Sequence, residues 1–208
     1  MVQIIKKTAP KNLVEYKNAG NTSYEDFPNK DDIRISLVQE QNELCAYCMG
    51  KITADSTKMK IEHFKCQTAY PSLQLEYSNM LGCCKGNEGL PKKMQTCDTY
   101  KGDNILSLNP SNPSDFSKMQ IIYSDDGTIK SLNSQFDKEL NEVLNLNTNQ
   151  LKNNRKNMIE SAQIALSIKQ GTRTKAEIQR LIDKYKKQHK TFYGAAVYYL
   201  EKKLKSAQ

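Results

Sequence analysis

The sequence predicts an α+β protein in which a small cysteine-rich module is embedded in a mainly helical chain. Residues 45–102 hold the six cysteines together with many glycines and turn residues, and they show no long hydrophobic period. On both sides of this segment, apolar residues recur at helical spacing. At 208 residues the chain is also long enough to bury a hydrophobic core.

Residues 1–44 are predicted to form an N-terminal helical segment. A helix is expected over residues 29–43, because acidic residues follow Pro28 near its start and Ile33 and Leu37 recur one turn apart. This helix would lead the chain directly to the first cysteine.

The module over residues 45–102 is predicted to contain two short regular elements. The sequence MKIEHF is typical of a short β-strand that presents Glu62 and His63. A helix is expected to open at Asp98 and to continue to Lys101. Because the rest of the module is dominated by turn residues, bound metal is expected to replace part of its hydrophobic burial.

Residues 103–150 are predicted to hold a loop, a β-hairpin and a helix. The sequence ILSLNPSNPSDF is rich in proline, asparagine and serine, which indicates a loop between residues 103 and 117. Two β-rich runs then flank Asp125, Asp126 and Gly127, and an Asp-Gly pair between such runs predicts a hairpin turn.

Residues 151–208 are predicted to form basic C-terminal helices. Gly171 is expected to end one helix, Thr174 and Glu177 form a capping box that opens the next, and apolar residues from Phe192 onward predict a last helix. This segment has 14 basic and 4 acidic residues, a net charge of +10, whereas the preceding residues have 17 basic and 19 acidic ones, a net charge of −2. The positive charge therefore belongs to these helices and suits a polyanionic partner.

The sequence also predicts the compartment in which the protein works. No apolar run approaches the roughly 20 residues that span a bilayer, and the apolar stretch before the first lysines is too short for a signal peptide. We therefore expect a cytoplasmic protein that does not enter a membrane. In that reducing compartment, six cysteines indicate metal binding rather than disulfides.

Two cysteine knuckles are expected to form one closed tetrahedral thiolate site, which is the usual structural use of zinc. Cys45 and Cys48 form the first knuckle as a CxxC pair. The second consists of Cys97 together with either Cys83 or Cys84, which are adjacent in the chain. Residue types and spacing alone leave that choice open.

His63 is one of only two histidines, it lies between the knuckles, and Glu62 precedes it. An imidazole with an ordinary pKa of about 6.5 suits the removal of a proton from water near pH 7. His63 could instead be a zinc ligand or a core histidine, but four cysteines already fill a tetrahedral site. The other histidine, His189, is expected to lie on the surface.

The ordered set LCAYC, IEHF, SNML, CCKGN and CDTYKG resembles the HNH endonuclease superfamily, whose ββα-metal core is often braced by a pair of zinc knuckles. The likeness extends to the HNH proteins of bacterial anti-phage systems, namely the Septu nuclease subunit and retron-associated nucleases, and covers about residues 1–165. It is carried by the hairpin and by the sequences IIKKTAPKNLVEYK, LVQEQNELCAYC and LNLNTNQLKNNRKNMIE. The resemblance implies a small zinc-braced ββα-metal module embedded in a mainly helical α+β protein.

The resemblance also implies catalytic roles for individual residues. His63 would activate water as the general base, Glu62 would bind the catalytic metal, and Asn79 would orient the base. Asp98 occupies the position that usually holds histidine or asparagine as the second metal ligand, so the chain departs from the family pattern there. Two carboxylates suit a hard ion such as Mg²⁺ or Mn²⁺.

The family pattern also selects the cysteine of the second knuckle, because Cys84 immediately precedes the sequence KGN as the family's cysteine does. Cys66 and Cys83 are then expected to be packing residues. The zinc ligands implied by the resemblance are Cys45, Cys48, Cys84 and Cys97.

Three basic residues are predicted to contact nucleic acid: Lys101, Arg155 and Lys156. Lys101 lies one helical turn beyond Asp98 and could meet a phosphate, although it could also be a solvated surface lysine. Residues 151–208 are expected to supply further phosphate contacts, with an affinity that falls steeply as salt rises. The alternative is that these lysine-rich runs are only solvated helix faces.

The predicted function is metal-dependent endonucleolytic cleavage of DNA or RNA in bacterial anti-phage defence. The resemblance implies a partner ATPase of the ABC or SMC-like type and, in a retron context, a reverse transcriptase with its nucleic acid. The alternative from another class is a non-catalytic zinc module that binds nucleic acid or scaffolds a complex, in which Glu62 and His63 are structural.

Overall fold

The computed structural model describes residues 1–168, 171 and 173–207. Within this part of the chain, eight α-helices and four short β-strands agree with the predicted mixture of α and β structure, and no helix combines the length and apolar character needed to cross a bilayer. The helices are α1 Lys11–Asn18, α2 Lys30–Glu40, α3 Cys97–Lys101, α4 Pro113–Met119, α5 Ser134–Glu142, α6 Asn149–Ser167, α7 Lys175–Gln188 and α8 Tyr193–Ser206. The strands are β1 Met59–His63, β2 Met80–Cys84, β3 Ile121–Tyr123 and β4 Ile129–Ser131, and short 3₁₀ turns lie at Pro71–Leu73, Tyr77–Asn79 and Lys92–Met94.

Strands β1 and β2 form an antiparallel pair, and α3 packs against β2. The strand predicted from MKIEHF is confirmed as β1, with Glu62 opposite Leu81 and His63 opposite Met80. Because successive side chains of a strand point to opposite faces, Glu62 and His63 enter different environments although they are neighbours in the chain. Strands β1 and β2 and helix α3 together form a ββα arrangement.

Two element boundaries differ from those predicted. Helix α2 ends at Glu40 rather than at residue 43, because Asn42 and Glu43 adopt left-handed φ values of 51° and 62° that turn the chain toward Cys45. The predicted loop over residues 103–117 was wrong in its last part, where α4 begins.

The start of α4 explains that second difference. The Asn112 side chain accepts a hydrogen bond from the Asp115 backbone N–H at 3.1 Å, and Pro113 occupies the first turn of the helix. Asparagine at the N-cap and proline at the first helical position are both favoured. The residues that indicated a loop are therefore helix start signals.

Strands β3 and β4 form the predicted hairpin, and its turn is held against α6. Gly127 has φ +82°, and a Cβ at this position would lie 2.0 Å from the Lys152 carbonyl oxygen, so only glycine fits. Arg155 Nε donates to the Gly127 carbonyl oxygen at 2.6 Å. The hairpin and α6 thus form one packed unit.

The C-terminal helices pack directly on the first cysteine knuckle. Thr174 and Glu177 form the predicted capping box at the start of α7. At the start of α8, the Phe192 backbone N–H donates to the Met49 carbonyl oxygen at 3.1 Å. A Cβ on Gly194 would lie 3.0 Å from Met49 Sδ, which shows how closely α8 approaches the residue that follows Cys48.

The hydrophobic core is continuous from the cysteine-rich module to the helices. Cys45 and Cys97 belong to the same buried cluster as Leu140 of α5, Ala195 of α8 and Leu144, which follows α5. The cysteines therefore lie at the centre of the packing rather than in a separate lobe, and the fold of the module depends on the helices around it.

Candidate functional site

Four cysteine side chains converge between the first knuckle, the end of β2 and the start of α3. The distances between their sulfur atoms are 3.8 Å for Cys45 and Cys97, 3.7 Å for Cys48 and Cys84, and 3.7 Å for Cys84 and Cys97. A zinc ion bound by four thiolates at about 2.3 Å requires sulfur atoms about 3.8 Å apart, which is the edge of the corresponding tetrahedron. The four cysteines could therefore bind a metal such as zinc.

The positions of the sulfur atoms distinguish Cys84 from Cys83. Both residues lie at the end of β2, and the Cys83 thiol contacts Cys45, but only Cys84 belongs to the set of four sulfur atoms that all lie within 4.8 Å of one another. Cys84 Sγ lies among the four converging sulfur atoms, whereas Cys83 is completely buried and lies outside that set. Burial raises the pKa of the Cys83 thiol well above its ordinary value.

The cysteines of the cluster share one proton-accepting site. Burial raises the pKa of the Cys45 thiol, but hydrogen bonds from the surrounding cysteines lower it to a net value well below the ordinary one, whereas hydrogen bonds to Cys45 raise the pKa values of the Cys48 and Cys97 thiols. Without an ion, one thiolate is therefore held by neighbouring thiols, and a metal ion that binds all four as thiolates would displace their protons.

Arg155 lies beside the cluster and is buried, with only 2% of its surface exposed. Its Nη2 donates to the Leu146 carbonyl oxygen at 2.7 Å, and the nearby Leu144 carbonyl accepts the Cys97 backbone N–H at 2.9 Å. Among the described residues, Arg155 Nη1 has no hydrogen-bond partner. A buried cation with an unused donor fits a neighbouring tetrathiolate metal site, which would carry net negative charge.

These contacts correct the prediction that Arg155 binds nucleic acid. Its guanidinium is enclosed by the hairpin turn and by the residues before α6, so it is not available to a phosphate. Lys156, by contrast, is half exposed and lies 3.7 Å from Glu160 of the same helix. Nucleic-acid contact by Lys156 stays a prediction.

Glu62 lies on the face of β1 that meets α3, and it is 4% exposed. Its Oε1 accepts hydrogen bonds from the Tyr47 hydroxyl at 2.9 Å and from Lys101 Nζ at 2.9 Å. Burial raises the pKa of the Glu62 carboxyl well above its ordinary value, the adjacent Asp98 raises it further, and Lys101 lowers it. Glu62 therefore occupies a buried pocket with another carboxylate beside it.

Asp98 enters this pocket from the first turn of α3. Its Oδ2 lies 3.3 Å from Lys60 Nζ, and Lys60 also lies 3.2 Å from Glu88 Oε1. Glu62 and Asp98 thus form a pair of neighbouring carboxylates flanked by two lysines. Mg²⁺ is commonly bound by one or two carboxylates that leave its other positions to water and phosphate, so this donor set fits a hard divalent ion.

The position of Lys101 corrects both interpretations of this residue. It is 1% exposed, so it is not a solvated surface lysine, and its ammonium group is paired with Glu62 rather than pointing toward solvent. In this structure it therefore does not contribute a phosphate contact. A lysine at the end of a short helix is exposed in most settings. Lys101 is buried only because α3 packs on the β1–β2 pair.

His63 lies on the opposite face of β1 and is 5% exposed. Its Nε2 is 2.9 Å from the Gln74 carbonyl oxygen, which can only accept, so Nε2 carries the proton and Nδ1 is left with a lone pair. The Gln67 side-chain amide lies 3.2 Å from Nδ1, and the Tyr24 ring packs edge-on at 4.6 Å. Burial lowers the pKa of His63, an effect that the Gln74 bond and Asp98 oppose, so the ring is neutral near pH 7.

Asn79 acts on the loop that follows His63. Its Oδ1 accepts from the Lys65 backbone N–H at 2.8 Å, and its Nδ2 donates to the Lys65 carbonyl at 3.0 Å and to the Leu73 carbonyl at 3.2 Å. The Phe64 N–H also donates to the Asn79 carbonyl at 2.9 Å. Asn79 therefore closes the loop over residues 64–79, which carries the carbonyl that orients His63.

Three residues of the site were missed from the sequence. Tyr47 hydrogen-bonds to Glu62, Lys60 pairs with Asp98, and Gln74 supplies the carbonyl that sets the tautomer of His63. The period of a β-strand could have identified Lys60, which lies two residues before Glu62 on the same face. Tyr47 and Gln74 lie in irregular backbone, where sequence spacing does not predict direction.

Sequence comparison confirms the resemblance to HNH nucleases of retron and Septu systems. One relative, from Vibrio cholerae serotype O1 biovar El Tor, is the retron Vc95 protein provisionally named an HNH endonuclease; it is 37% identical over 116 residues, which cover 51% of this chain and 54% of the relative. The Septu protein PtuB of Bacillus thuringiensis is 28% identical over 127 residues, which cover 57% of this chain and 46% of PtuB. The matches thus span about half the length of these relatives. No family model matches the chain.

Proposed function

We propose that the protein is a metal-dependent endonuclease of the HNH type that hydrolyses phosphodiester bonds of DNA or RNA. The observation that supports this most directly is the placement of Glu62 and Asp98 side by side, one on β1 and one on α3, with a neutral His63 next to Glu62 in the chain. Two hard oxygen ligands can hold the divalent ion that phosphodiester hydrolysis uses. His63 lies on the other face of β1, but Asp98 is close enough to raise the pKa of its ring, so a base is available near the same end of the strand.

In the proposed reaction, His63 Nδ1 takes the proton of the attacking water. The Gln74 carbonyl keeps the proton of the ring on Nε2, and burial lowers the pKa of the ring, so Nδ1 carries the lone pair. The Gln67 side-chain amide lies 3.2 Å from Nδ1, and the attacking water would take its place. Asn79 holds the loop that carries Gln74 and thus fixes the direction of the imidazole. A divalent ion, Mg²⁺ or Mn²⁺, held by Glu62 and Asp98 would stabilise the charge that develops on the phosphate and on the leaving oxygen.

We also propose that the four-cysteine cluster holds structural zinc. The sulfur spacing and the unused donor of Arg155 support this assignment. A closed set of four protein ligands leaves no position for a substrate, so the role of this ion is to stabilise the fold. The proposed ligands are Cys45, Cys48, Cys84 and Cys97.

The names of the relatives support a place in bacterial anti-phage defence. We propose that the chain works in the cytoplasm with an ATPase of the ABC or SMC-like type and, where the system is a retron, with a reverse transcriptase and its nucleic acid. Such a partner would restrain cleavage until the system is triggered.

Purified protein is expected to cleave plasmid DNA or structured RNA when Mg²⁺ or Mn²⁺ is added, alone or with its partner ATPase. Gel assays with and without the added ion test this, and omitting the ion is preferable to a chelator, which could also remove zinc. The Glu62→Gln variant, in which the carboxylate ligand is replaced by an uncharged amide, is the matched inactive control. Wild-type protein that stays inert with every substrate and partner would contradict the proposal.

The basic helices α7 and α8 are proposed to bind the phosphate backbone of the substrate. Removing residues 151–208 would be the simplest test, but it is unsuitable. Helix α8 packs against the first knuckle, so its removal would disturb the fold. Exposed lysines can be changed instead. We expect the triple change Lys184→Gln, Lys187→Gln and Lys202→Gln to weaken binding and to reduce the salt slope by about one for each lost phosphate contact.

The matched control removes the same charge from the other part of the chain, through Lys58→Gln, Lys130→Gln and Lys138→Gln, which are also exposed. Fluorescence anisotropy over a salt series compares the two triple variants. Equal losses of affinity and equal slopes would show that only total charge matters and would overturn the assignment to α7 and α8.

One observation favours the alternative of a non-catalytic zinc module that binds nucleic acid or scaffolds a complex. Glu62 and Asp98 are each paired with a lysine, Lys101 and Lys60, so the four charges already compensate one another. Under this alternative the complex has no cleavage to lose, and Glu62→Gln would only lower stability, because it leaves the buried Lys101 without its partner. Under the proposed function it would abolish cleavage.

A further inference from the structure

Tyr47 connects the cysteine cluster to the carboxylate pair. It lies between Cys45 and Cys48, and its side chain is among the largest that are fully buried, with 1% exposed. The backbone around it is held by the knuckle, since the Cys45 N–H donates to the Gly50 carbonyl at 2.8 Å and the Met49 N–H donates to the Cys45 carbonyl at 3.1 Å. From this fixed position its hydroxyl donates to Glu62 Oε1 at 2.9 Å.

The same oxygen of Glu62 receives a second donor, Lys101 Nζ, also at 2.9 Å. Lys101 belongs to α3, whose first residue is Cys97, so both donors are carried by elements that supply cysteines to the cluster. Because both bonds go to Oε1, neither Tyr47 nor Lys101 uses Oε2. The carboxylate is therefore oriented from one side, while Asp98 contacts it as well.

We propose that Tyr47 is a positioning residue that holds Glu62 in the orientation in which it binds the catalytic divalent ion. This role rests on the proposed function, because it requires that Glu62 is a metal ligand. Hydrogen bonds to ligating carboxylates set their orientation, and loss of such a bond typically lowers metal affinity by about 10–100-fold. Through Tyr47, the shape of the zinc knuckle would determine the geometry of the second metal site.

A second Tyr-Glu-Lys group provides a matched comparison within the chain. The Tyr77 hydroxyl donates to Glu40 Oε1 at 2.8 Å, and Lys6 Nζ lies 3.0 Å from Glu40 Oε2. Tyr77 is buried to a similar degree, with 5% exposed. Its chemistry resembles that of Tyr47, but Glu40 is not one of the proposed metal ligands.

The test compares Tyr47→Phe with Tyr77→Phe in the full chain, since each change removes one buried hydroxyl and retains the ring. Mn²⁺ affinity is measured by electron paramagnetic resonance, zinc content by mass spectrometry and thermal stability by calorimetry. For Tyr47→Phe we expect the Mn²⁺ dissociation constant to rise about 10–100-fold while zinc is retained. For Tyr77→Phe we expect unchanged Mn²⁺ affinity at a comparable loss of stability.

The outcomes separate this role from the proposed function. If the wild type binds Mn²⁺, Glu62→Gln abolishes that binding and Tyr47→Phe leaves it unchanged, the role of Tyr47 is overturned and the metal site stands. Equal weakening by Tyr47→Phe and Tyr77→Phe would also overturn it, because the effect would then be one of general stability. If the wild type binds no Mn²⁺, or if Glu62→Gln does not reduce binding, the proposed catalytic site fails and this role fails with it.

Discussion

Replacement of Cys84 by serine is expected to abolish zinc binding and to unfold the cysteine-rich module. Structural zinc bound by peptide ligands contributes an apparent free energy of about 10–16 kcal/mol, which exceeds the total stability of most domains. Serine is a poor zinc ligand, and three thiolates leave the tetrahedral site incomplete. Zinc content by mass spectrometry and cooperative unfolding by calorimetry are the measurements.

The neighbouring residue supplies the control for this prediction. Cys83→Ala removes a buried sulfur that lies outside the set of four, so it is expected to retain zinc and to cost about 0.5–3 kcal/mol of stability. The prediction also extends to α8, which packs on the knuckle through Phe192 and Gly194. Hydrogen exchange at the start of α8 should accelerate in Cys84→Ser and stay protected in Cys83→Ala. The reverse pattern, with zinc lost only from Cys83→Ala, would show that the cluster has been assigned wrongly.

Replacement of His63 by alanine is expected to lower the cleavage rate by about 10²–10⁴-fold, the usual contribution of a general base. The change removes Nδ1, which is the only nitrogen of the ring that can accept a proton while Nε2 donates to Gln74. The zinc ligands are untouched, so zinc content should equal that of the wild type. Single-turnover cleavage assays with added Mg²⁺ or Mn²⁺ provide the measurement.

His189→Ala is the natural control, because the chain has only two histidines and His189 lies at the end of α7. It should cleave at the wild-type rate. Added imidazole, which can replace the missing base, should partly restore cleavage by His63→Ala. A His63→Ala protein that cleaves as fast as the wild type would remove His63 as the base, and one that has lost zinc would show that its role is structural.

The order of the motif residues was sufficient to predict that the two cysteine knuckles converge. The strand MKIEHF carries Glu62 and His63 as expected, α3 opens at Cys97 and Asp98, and the cysteines of both knuckles converge. These features depend on local spacing: a CxxC turn, a short strand with turn residues on both sides, and a carboxylate directly after a cysteine. Local spacing sets the direction of side chains within one element. This is enough to predict a site when each element contributes only one or two side chains to it.

The roles of the basic residues could not be predicted in the same way. Lys101 and Arg155 both belong to sequences that are typical of exposed helix surfaces, yet one is paired with Glu62 and the other is enclosed beside the cysteines. A buried cation is stable only where acceptors from other parts of the chain compensate its charge. Those acceptors lie 39 residues away for Lys101 and 28 residues away at Gly127 for Arg155, so no local pattern reveals them.

Residue identity and spacing predicted the resemblance to HNH nucleases, which the relatives confirm, and the convergence of four cysteines. They also placed the positive charge in the C-terminal helices. Three features emerge only in the folded chain: Cys84 rather than Cys83 joins the set of four sulfur atoms, Nδ1 of His63 carries the lone pair, and Tyr47 and Lys101 both hydrogen-bond to Glu62. The physical reason is that residue identity and spacing fix what chemistry is possible. Direction, burial and charge compensation depend on elements that meet only when the chain is folded.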